Sequence, residues 1–238
     1  MYPLRYNKEA VLAIARQICP DIKEVLELET DKFLPGYISF EVTSNTDHLN
    51  ETKGNQKLTR GKLCTSIDAL IYGRLHDNQK IILPIEWKYT EYYHEPGKPD
   101  EDYSAGTKGQ ERLRRYSGLI TDSQQLCLKR DDYKSSCYFF EPFYQLMRQT
   151  LWAEQMIAHS SDERLQADNY LHVHVIPREN SDLLNKVYPC SGADMETTWR
   201  KHLKDISKYR ILSPEELLQG IDPKKYCGLL EYLKTRYQ

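Results

Sequence analysis

A glutamate and a lysine stand two positions apart in an otherwise apolar stretch of the chain. Side chains alternate across a β-strand, so Glu86 and Lys88 share one face, whereas Trp87 between them lies on the other. A carboxylate and an ammonium held side by side in this way form either a surface ion pair or a site of chemistry. The position of a second carboxylate, Asp68, bears on which of the two applies.

Asp68 lies in the strand candidate that precedes this stretch. Residues 65–75 and 80–91 both have strand character, and the turn-forming residues between them predict a β-hairpin. Paired residues of an antiparallel hairpin lie at equal distances from the centre of the turn. A turn centred on Asp77 therefore places Asp68 directly opposite Glu86, with Cβ atoms about 4.5–5.5 Å apart.

A turn with an even number of residues would give a different arrangement. It shifts the register by one residue and puts Asp68 and Glu86 on opposite faces, unless a β-bulge restores the alternation. Pro84 cannot donate to the ladder and is a candidate position for such a bulge.

Two adjacent carboxylates repel each other, and the pKa of one of them rises unless a cation joins them. Mg²⁺ prefers one or two protein carboxylates together with water and phosphate oxygens, which suits Asp68 and Glu86. Mn²⁺ accepts the same oxygen ligands. Lys88 would lie next to the metal, where an ammonium can orient an attacking water and offset the charge of a phosphate transition state. The three residues together predict a catalytic site for phosphodiester hydrolysis.

The elements that must position this site follow from the hydrophobic periodicity and the turn residues. Residues 92–108 are rich in proline, glycine and acids and predict a long loop beside the end of the second strand. We expect helices over 8–18, less clearly 22–34, then 109–121 and 142–159, strands over 37–42, 65–75, 80–91 and 169–177, and short helices near 181–187, 195–207, 213–219 and from Cys227 onward.

Composition narrows the class of protein. The net charge of −2 gives no global signal for binding a polyanion, so a basic surface would have to be local. Two basic stretches qualify, 53–62 and 108–115. The six dispersed cysteines have neither zinc-site spacing nor a disulfide pattern, and we expect reduced thiols. With no apolar run of about 20 residues and no secretory signal, we expect a cytoplasmic protein that does not enter a membrane.

The order of an aspartate, a hairpin and a Glu-x-Lys strand resembles the PD-(D/E)XK phosphodiesterase superfamily, including restriction-endonuclease-like proteins. The residues that match are Asp68, Glu86 and Lys88, with Ile67 where the superfamily has proline. The resemblance implies an α/β fold with a restriction-endonuclease-like core (helix, three strands, helix, strand), in which a mixed central sheet is flanked by helices. It covers roughly residues 10–178 of one domain spanning 1–238, and 179–238 would form a C-terminal helical extension.

The resemblance also implies a Mg²⁺-dependent cut of a nucleic-acid backbone, which we expect to be DNA, and an additional acid from the N-terminal region. Glu41 is the favoured acid, with Glu24, Glu27 and Glu29 as the other candidates. Some nucleases of this superfamily have a glutamine on the helix after the Glu-x-Lys strand, and Gln145, with Gln149 one turn later, resembles it. The candidate DNA contacts are Lys57, Arg60, Lys62, Lys108, Arg112 and Gln145.

Other interpretations fit parts of the sequence. The triplet could be a surface ion pair, the basic stretches could be solvated faces, and the same fold could serve as an inactive nucleic-acid-binding or structural module. His172 and His174 share a strand face and could either act in a different hydrolase or pack in the core; the first requires rings that face a cavity. A homodimer is one candidate assembly.

Overall fold

A computed structural model of the protein describes residues 1–30, 34–52, 64–89, 108–127 and 136–237. Its α-helices are α1 Lys8–Ile18, α2 Lys108–Asp122, α3 Phe143–Ala158, α4 Ser181–Leu184, α5 Met195–Lys201, α6 Pro214–Leu218 and α7 Cys227–Tyr237. Its strands are β1 Ile22–Val25, β2 Leu28–Glu29, β3 Pro35–Gly36, β4 Ile38–Val42, β5 Ile67–Leu75, β6 Lys80–Trp87, β7 Asn169–Tyr170, β8 His172–Val175 and β9 Tyr209–Leu212.

A mixed sheet forms the centre of the molecule. Its order is β1-β5-β6-β8-β9, with β4 also paired to β5 and β7 also paired to β6. The strands β1, β4 and β6 run antiparallel to β5, whereas β7 and β8 run parallel to β6, and β9 runs parallel to β8. The short strands β2 and β3 form a separate two-stranded sheet.

Helices cover both faces of this sheet because its long strands are apolar on both sides. On one face, Leu70, Tyr72 and Ile82 pack with α2 and α3. On the other face, residues of opposite parity such as Ile71 and Leu83 pack with α1 and α6. Asp68 and Glu86 have the parity of the first set, so strand alternation directs them toward α3. The sheet thus separates two cores, and the acidic residues lie on the α3 side.

The first helix shows how local sequence encodes an element. The Asn7 side chain accepts a hydrogen bond from the backbone N–H of Ala10 at 3.0 Å and caps the helix. Val11, Ile14 and Ile18 follow at helical spacing and are completely buried. The expected helices over 8–18, 109–121 and 142–159 are confirmed by α1, α2 and α3.

The hairpin register is confirmed. Ala69 pairs with Ile85, and the pairing continues without a bulge past Pro84 to the turn. The Leu75 N–H donates to the Gln79 carbonyl at 2.9 Å, which leaves three residues in the turn. Asn78 has φ of 72°, the left-handed conformation that such a turn needs and that asparagine tolerates.

Three expectations about the elements are wrong. Residues 22–34 do not form a helix: Ile22 and Val25 lie in β1, where pairing with the edge of β5 overrides a weak helical pattern. The C-terminal extension is not purely helical, because β9 joins the sheet beside β8. The strand predicted over 80–91 ends at Trp87.

The loop predicted over 92–108 and the basic stretch over 53–62 lie almost entirely outside the described residues. All six cysteines are free thiols. Within the described ranges, no helix combines the length and the apolar character needed to cross a membrane.

Candidate active site

The central hairpin brings two acidic side chains together. One step beyond the Ala69–Ile85 pair, the same register sets Asp68 opposite Glu86. Asp68 accepts a hydrogen bond from the backbone N–H of Trp87 at 3.0 Å, which ties its carboxylate to the neighbouring strand. Glu86 is only 2% exposed. The predicted proximity of the two acids on one face is therefore confirmed.

The Glu86 carboxylate lies among donors from one strand and one helix. The Lys88 ammonium is 2.7 Å from Oε1, and Lys88 is itself 6% exposed. The side-chain amides of Gln145 and Gln149 donate to Oε1 and Oε2, respectively. The two glutamines are one turn apart on α3, so a single polar stripe of this helix reaches both oxygens. The ion pair of Glu86 and Lys88 is therefore buried, which rules out the surface ion-pair interpretation.

Burial changes the protonation of both acids. Desolvation raises the pKa of Glu86 to about 7, against the lowering effect of Lys88, while the charge of Asp68 raises it further. The pKa of Asp68 is also raised, first by burial, with opposing effects from the Trp87 N–H and Lys88. A hydrogen bond between the two carboxyl groups lowers the pKa of Asp68. The two acids therefore behave as an interacting pair.

Glu41 lies on the other side of Asp68. Its neighbours Phe40 and Val42 pair with residues that flank Asp68, so the register sets Glu41 opposite that aspartate. Its φ of 52° is an uncommon conformation for glutamate within a strand. The Glu41 carboxylate accepts a hydrogen bond from the Ser66 hydroxyl at 3.2 Å and raises the pKa of Asp68 by its charge.

The other candidate N-terminal acids have different partners. Glu24 binds Arg74 at 3.1 Å, Glu27 accepts from the Tyr37 hydroxyl at 3.3 Å, and Glu29 binds Arg164 at 2.7 Å. Glu41 is the acid of this group whose charge acts on Asp68.

The carboxyl pair has the chemistry of a partial site for a hard cation. Both pKa values are raised, so a divalent cation between Asp68 and Glu86 would relieve their repulsion and replace a shared proton. Mg²⁺ needs only one or two protein carboxylates, since water and phosphate supply its other ligands. Among the described residues, no three histidine, cysteine or acidic side chains converge on one metal position. The residues present thus fit an open two-carboxylate site.

A cavity of about 300 Å³ opens beside this pair. Asp68, Gln145 and Gln149 line one part of it, and Arg115, Tyr144 and Arg148 line another. It is thus bounded by the candidate metal-binding acid and by two guanidinium-bearing side chains.

The predicted nucleic-acid contacts lie in different environments. Lys108 is exposed at the first turn of α2, and the Arg112 guanidinium lies 5.1 Å from the centroid of the Tyr144 ring. Gln145 donates to Glu86 in this structure. The remaining candidates, Lys57, Arg60 and Lys62, lie outside the described residues.

A second buried carboxylate, Glu51, was not anticipated from the sequence. It receives hydrogen bonds from Thr65 and Tyr116 and pairs with Arg148 at 3.1 Å. The sequence did indicate one partner of this cluster, because Arg148 lies on the same polar stripe of α3 as Gln145 and Gln149. Glu51 itself lies in an irregular segment without a periodic pattern.

The two strand histidines are packed in the core. His172 and His174 are each 1% exposed, and burial lowers the pKa of His172 to about 3 and that of His174 well below its usual range. The hydrolase alternative requires accessible rings, and this structure favours the packing interpretation instead.

Fold and site together define a mixed α/β protein whose central hairpin carries a half-buried aspartate, a buried glutamate and a buried lysine. The chain matches the sequence model of the family described as Restriction Endonuclease associating with ARP (REase-ARP) over residues 1–238, and it belongs to that family. The expected restriction-endonuclease-like relationship is confirmed. No match was found among curated proteins or solved structures.

Proposed function

We propose that this protein is a metal-dependent endonuclease that hydrolyses phosphodiester bonds in DNA. The observation that carries the proposal is the interacting pair of the half-buried Asp68 and the buried Glu86, with the Lys88 ammonium 2.7 Å from Glu86. Membership of a restriction-endonuclease family supports DNA as the substrate. Holding two neighbouring carboxyl groups against one lysine leaves excess negative charge that is costly to desolvate, and a bound cation would offset that cost.

Asp68 and Glu86 would hold Mg²⁺, with Mn²⁺ as a substitute. Glu41, opposite Asp68 in the register, is the proposed source of a further oxygen, and its carboxylate would have to move toward the pair to reach the same cation. When bound, such a cation polarises the phosphate and lowers the pKa of water. The Trp87 N–H and the glutamine amides orient the carboxylates, so little reorganisation is needed.

Lys88 is the residue proposed to act on the attacking water and on the transition state. Its ammonium is held by Glu86 at one edge of the acidic pair. From there it can orient the attacking water and offset the negative charge that develops on the phosphate. Its burial strengthens this interaction, because few solvent molecules screen it.

The DNA backbone would be held by basic side chains near the site. Lys108 and Arg112 on α2 lie on the helix that also carries Arg115, which lines the cavity beside Asp68. The basic stretch 53–62 is the second candidate contact. These residues would position the duplex through its phosphates and would not read the sequence.

The test compares Glu86→Ala and Lys88→Ala in one cleavage assay with plasmid and single-stranded DNA, in Mg²⁺, Mn²⁺ or EDTA. Glu86→Ala should lose both Mn²⁺ binding and cleavage, because it removes a ligand. Lys88→Ala should keep metal and DNA binding while kcat falls by about 10²–10³-fold, as when one preorganised transition-state donor is removed.

Lys225→Ala is the matched control, since this exposed lysine also pairs with a glutamate, Glu9, at 3.5 Å. It should cut at the parental rate, and thermal midpoints verify that all variants are folded. If Lys88→Ala also cuts at that rate, the role given to Lys88 is wrong. If the parent cuts no nucleic acid with any divalent metal, an inactive nucleic-acid-binding module replaces the proposal.

A further inference from the structure

We propose that His172 is a positioning residue that fixes the Glu86 carboxylate by orienting the side-chain amide of Gln149. This inference rests on the proposed function, in which Glu86 binds the metal. His172 touches neither the acidic pair nor Lys88 in any hydrogen bond of the described residues. It would act only through the glutamine between them.

The four side chains form one continuous hydrogen-bonded chain. Thr150 Oγ1 lies 3.4 Å from His172 Nδ1, and His172 Nε2 lies 2.9 Å from Gln149 Oε1. The Gln149 amide nitrogen then donates to Glu86 Oε2. All four residues are at most 2% exposed, so water cannot substitute readily for a lost partner.

The donors and acceptors along this chain of hydrogen bonds follow from the carboxylate of Glu86 at its end. When Glu86 is ionised, as a metal ligand must be, its carboxylate only accepts hydrogen bonds, so Gln149 presents its amide nitrogen to Glu86 and its oxygen to the ring. His172 must then carry its proton on Nε2. The remaining ring nitrogen, Nδ1, accepts from the Thr150 hydroxyl. One assignment of hydrogens satisfies every polar atom.

The buried ring is suited to this role because it is neutral. Burial lowers the pKa of His172 to about 3, so the ring carries a single N–H at working pH and adds no charge beside the acidic pair. Without that N–H, the Gln149 amide could turn over and present its oxygen to the carboxylate. Among the described residues, the contacts of Gln145 and Lys88 go to Oε1, so Oε2 would lose the donor that Gln149 provides.

His174 provides an internal comparison. It lies on the same face of the same strand, its ring centroid is 5.3 Å from that of His172, and it is equally buried. Neither of its ring nitrogens has a hydrogen-bond partner among the described residues. A substitution at His174 therefore disturbs the same part of the core without breaking the chain to Glu86.

The experiment uses the full chain with His172→Leu, His172→Gln, His174→Leu and Gln149→Leu, alone and as the double variant of 172 and 149. His172→Leu should weaken Mn²⁺ binding and lower kcat by about 10-fold to 100-fold, as for other residues that orient metal ligands, with KM for DNA unchanged. His172→Gln, whose amide nitrogen reaches the position of Nε2, should recover most of the loss. His174 pairs with Glu86 in the sheet but takes no part in the chain, so His174→Leu should lose less Mn²⁺ binding and less kcat than His172→Leu.

The double variant tests whether His172 acts on Glu86 through Gln149. If His172 acts through Gln149, then His172→Leu adds nothing once Gln149 is leucine, and the two effects are not additive. Additive losses, or a His172→Gln variant as defective as His172→Leu, would overturn the inference. Parental Mn²⁺ binding and kcat in His172→Leu would do the same.

A measurement that needs neither metal nor cleavage keeps this inference separate from the proposed function. The side-chain amide protons of Gln149 should exchange with solvent about 10-fold faster in His172→Leu, since one hydrogen bond of the chain is lost, and at the parental rate in His174→Leu. Unchanged exchange in His172→Leu would refute the positioning role. A parent that neither binds Mn²⁺ nor cuts would refute the proposed function instead.

Discussion

Two glutamates are buried against α3, and their surroundings differ. Glu51 is 3% exposed and receives the Thr65 hydroxyl at 2.7 Å, the Tyr116 hydroxyl at 2.8 Å and the Arg148 guanidinium at 3.1 Å. The backbone N–H of Thr65 donates to it as well. Thr65 also accepts from Arg148, so the cluster ties the start of β5 to the helix.

Glu86 is as deeply buried but has a second acid beside it. Lys88 supplies the positive charge, Gln145 and Gln149 supply uncharged donors, and Asp68 raises its pKa. Burial alone therefore does not distinguish a structural carboxylate from a candidate metal ligand. The neighbouring carboxyl group does, because it creates a need for positive charge that one lysine does not meet.

The largest effect on stability is expected at Glu51. Glu51→Ala leaves the half-buried Arg148 without its carboxylate and the buried hydroxyls of Thr65 and Tyr116 without their acceptor, and should lower the free energy of unfolding by about 3–5 kcal/mol. Urea denaturation measures this. The control is Glu24→Ala, which removes the partly exposed partner of Arg74 and should cost at most about 1 kcal/mol. Equal losses of unfolding free energy in the two variants would contradict a structural role for Glu51.

Without metal, in EDTA, the ionised Glu86 should destabilise the fold, whereas Glu51 stabilises it. Its pKa is about 7 in the folded state, against 4.5 for an unperturbed glutamate, so the folded state binds its proton more tightly. The resulting stabilisation is complete below about pH 4.5 and is lost as the pH rises through 7, an effect on the order of 3 kcal/mol. Glu86→Gln has no ionisable group at this position, so its stability should not fall in this way as the pH rises.

The stability of Glu86→Gln relative to the parent should therefore increase between pH 5 and pH 8 when no metal is present. Unfolding curves at the two pH values measure it. Mn²⁺ should stabilise the parent and not the variant, because only the parent keeps both carboxylates. A difference between the two proteins that does not change with pH would contradict the raised pKa of Glu86.

The smallest effect is expected on the DNA-binding side. If Lys108 and Arg112 contact phosphates, each change to glutamine should reduce the slope of log affinity against log salt by about 0.9, with a modest loss of affinity. Lys225→Gln serves as the control on a distant exposed pair. If the slope of log affinity against log salt is unchanged in both α2 variants, these two side chains do not contact DNA phosphates.

Local sequence patterns predicted much of the hairpin and the main helices. The asparagine at position 78 accommodates the left-handed turn residue, and strand alternation put Asp68 and Glu86 on one face before any contact was known. These features depend on residues close together in the chain. Strand β9 and strand β1 were not found, since each is short and is stabilised by its neighbour in the sheet.

The amino-acid sequence by itself determined the acidic hairpin and the spacing of Glu86 and Lys88, because turn chemistry and a period of two residues act over short distances. It left two registers open, and the structure shows the one with a three-residue turn. Only the tertiary structure decided which groups surround that hairpin. Glu51 meets Arg148, and Gln149 joins Glu86 to His172, across separations in the chain that no local pattern spans. Which buried carboxylate is satisfied and which shares its site with another acid depends on how α3 packs on the sheet.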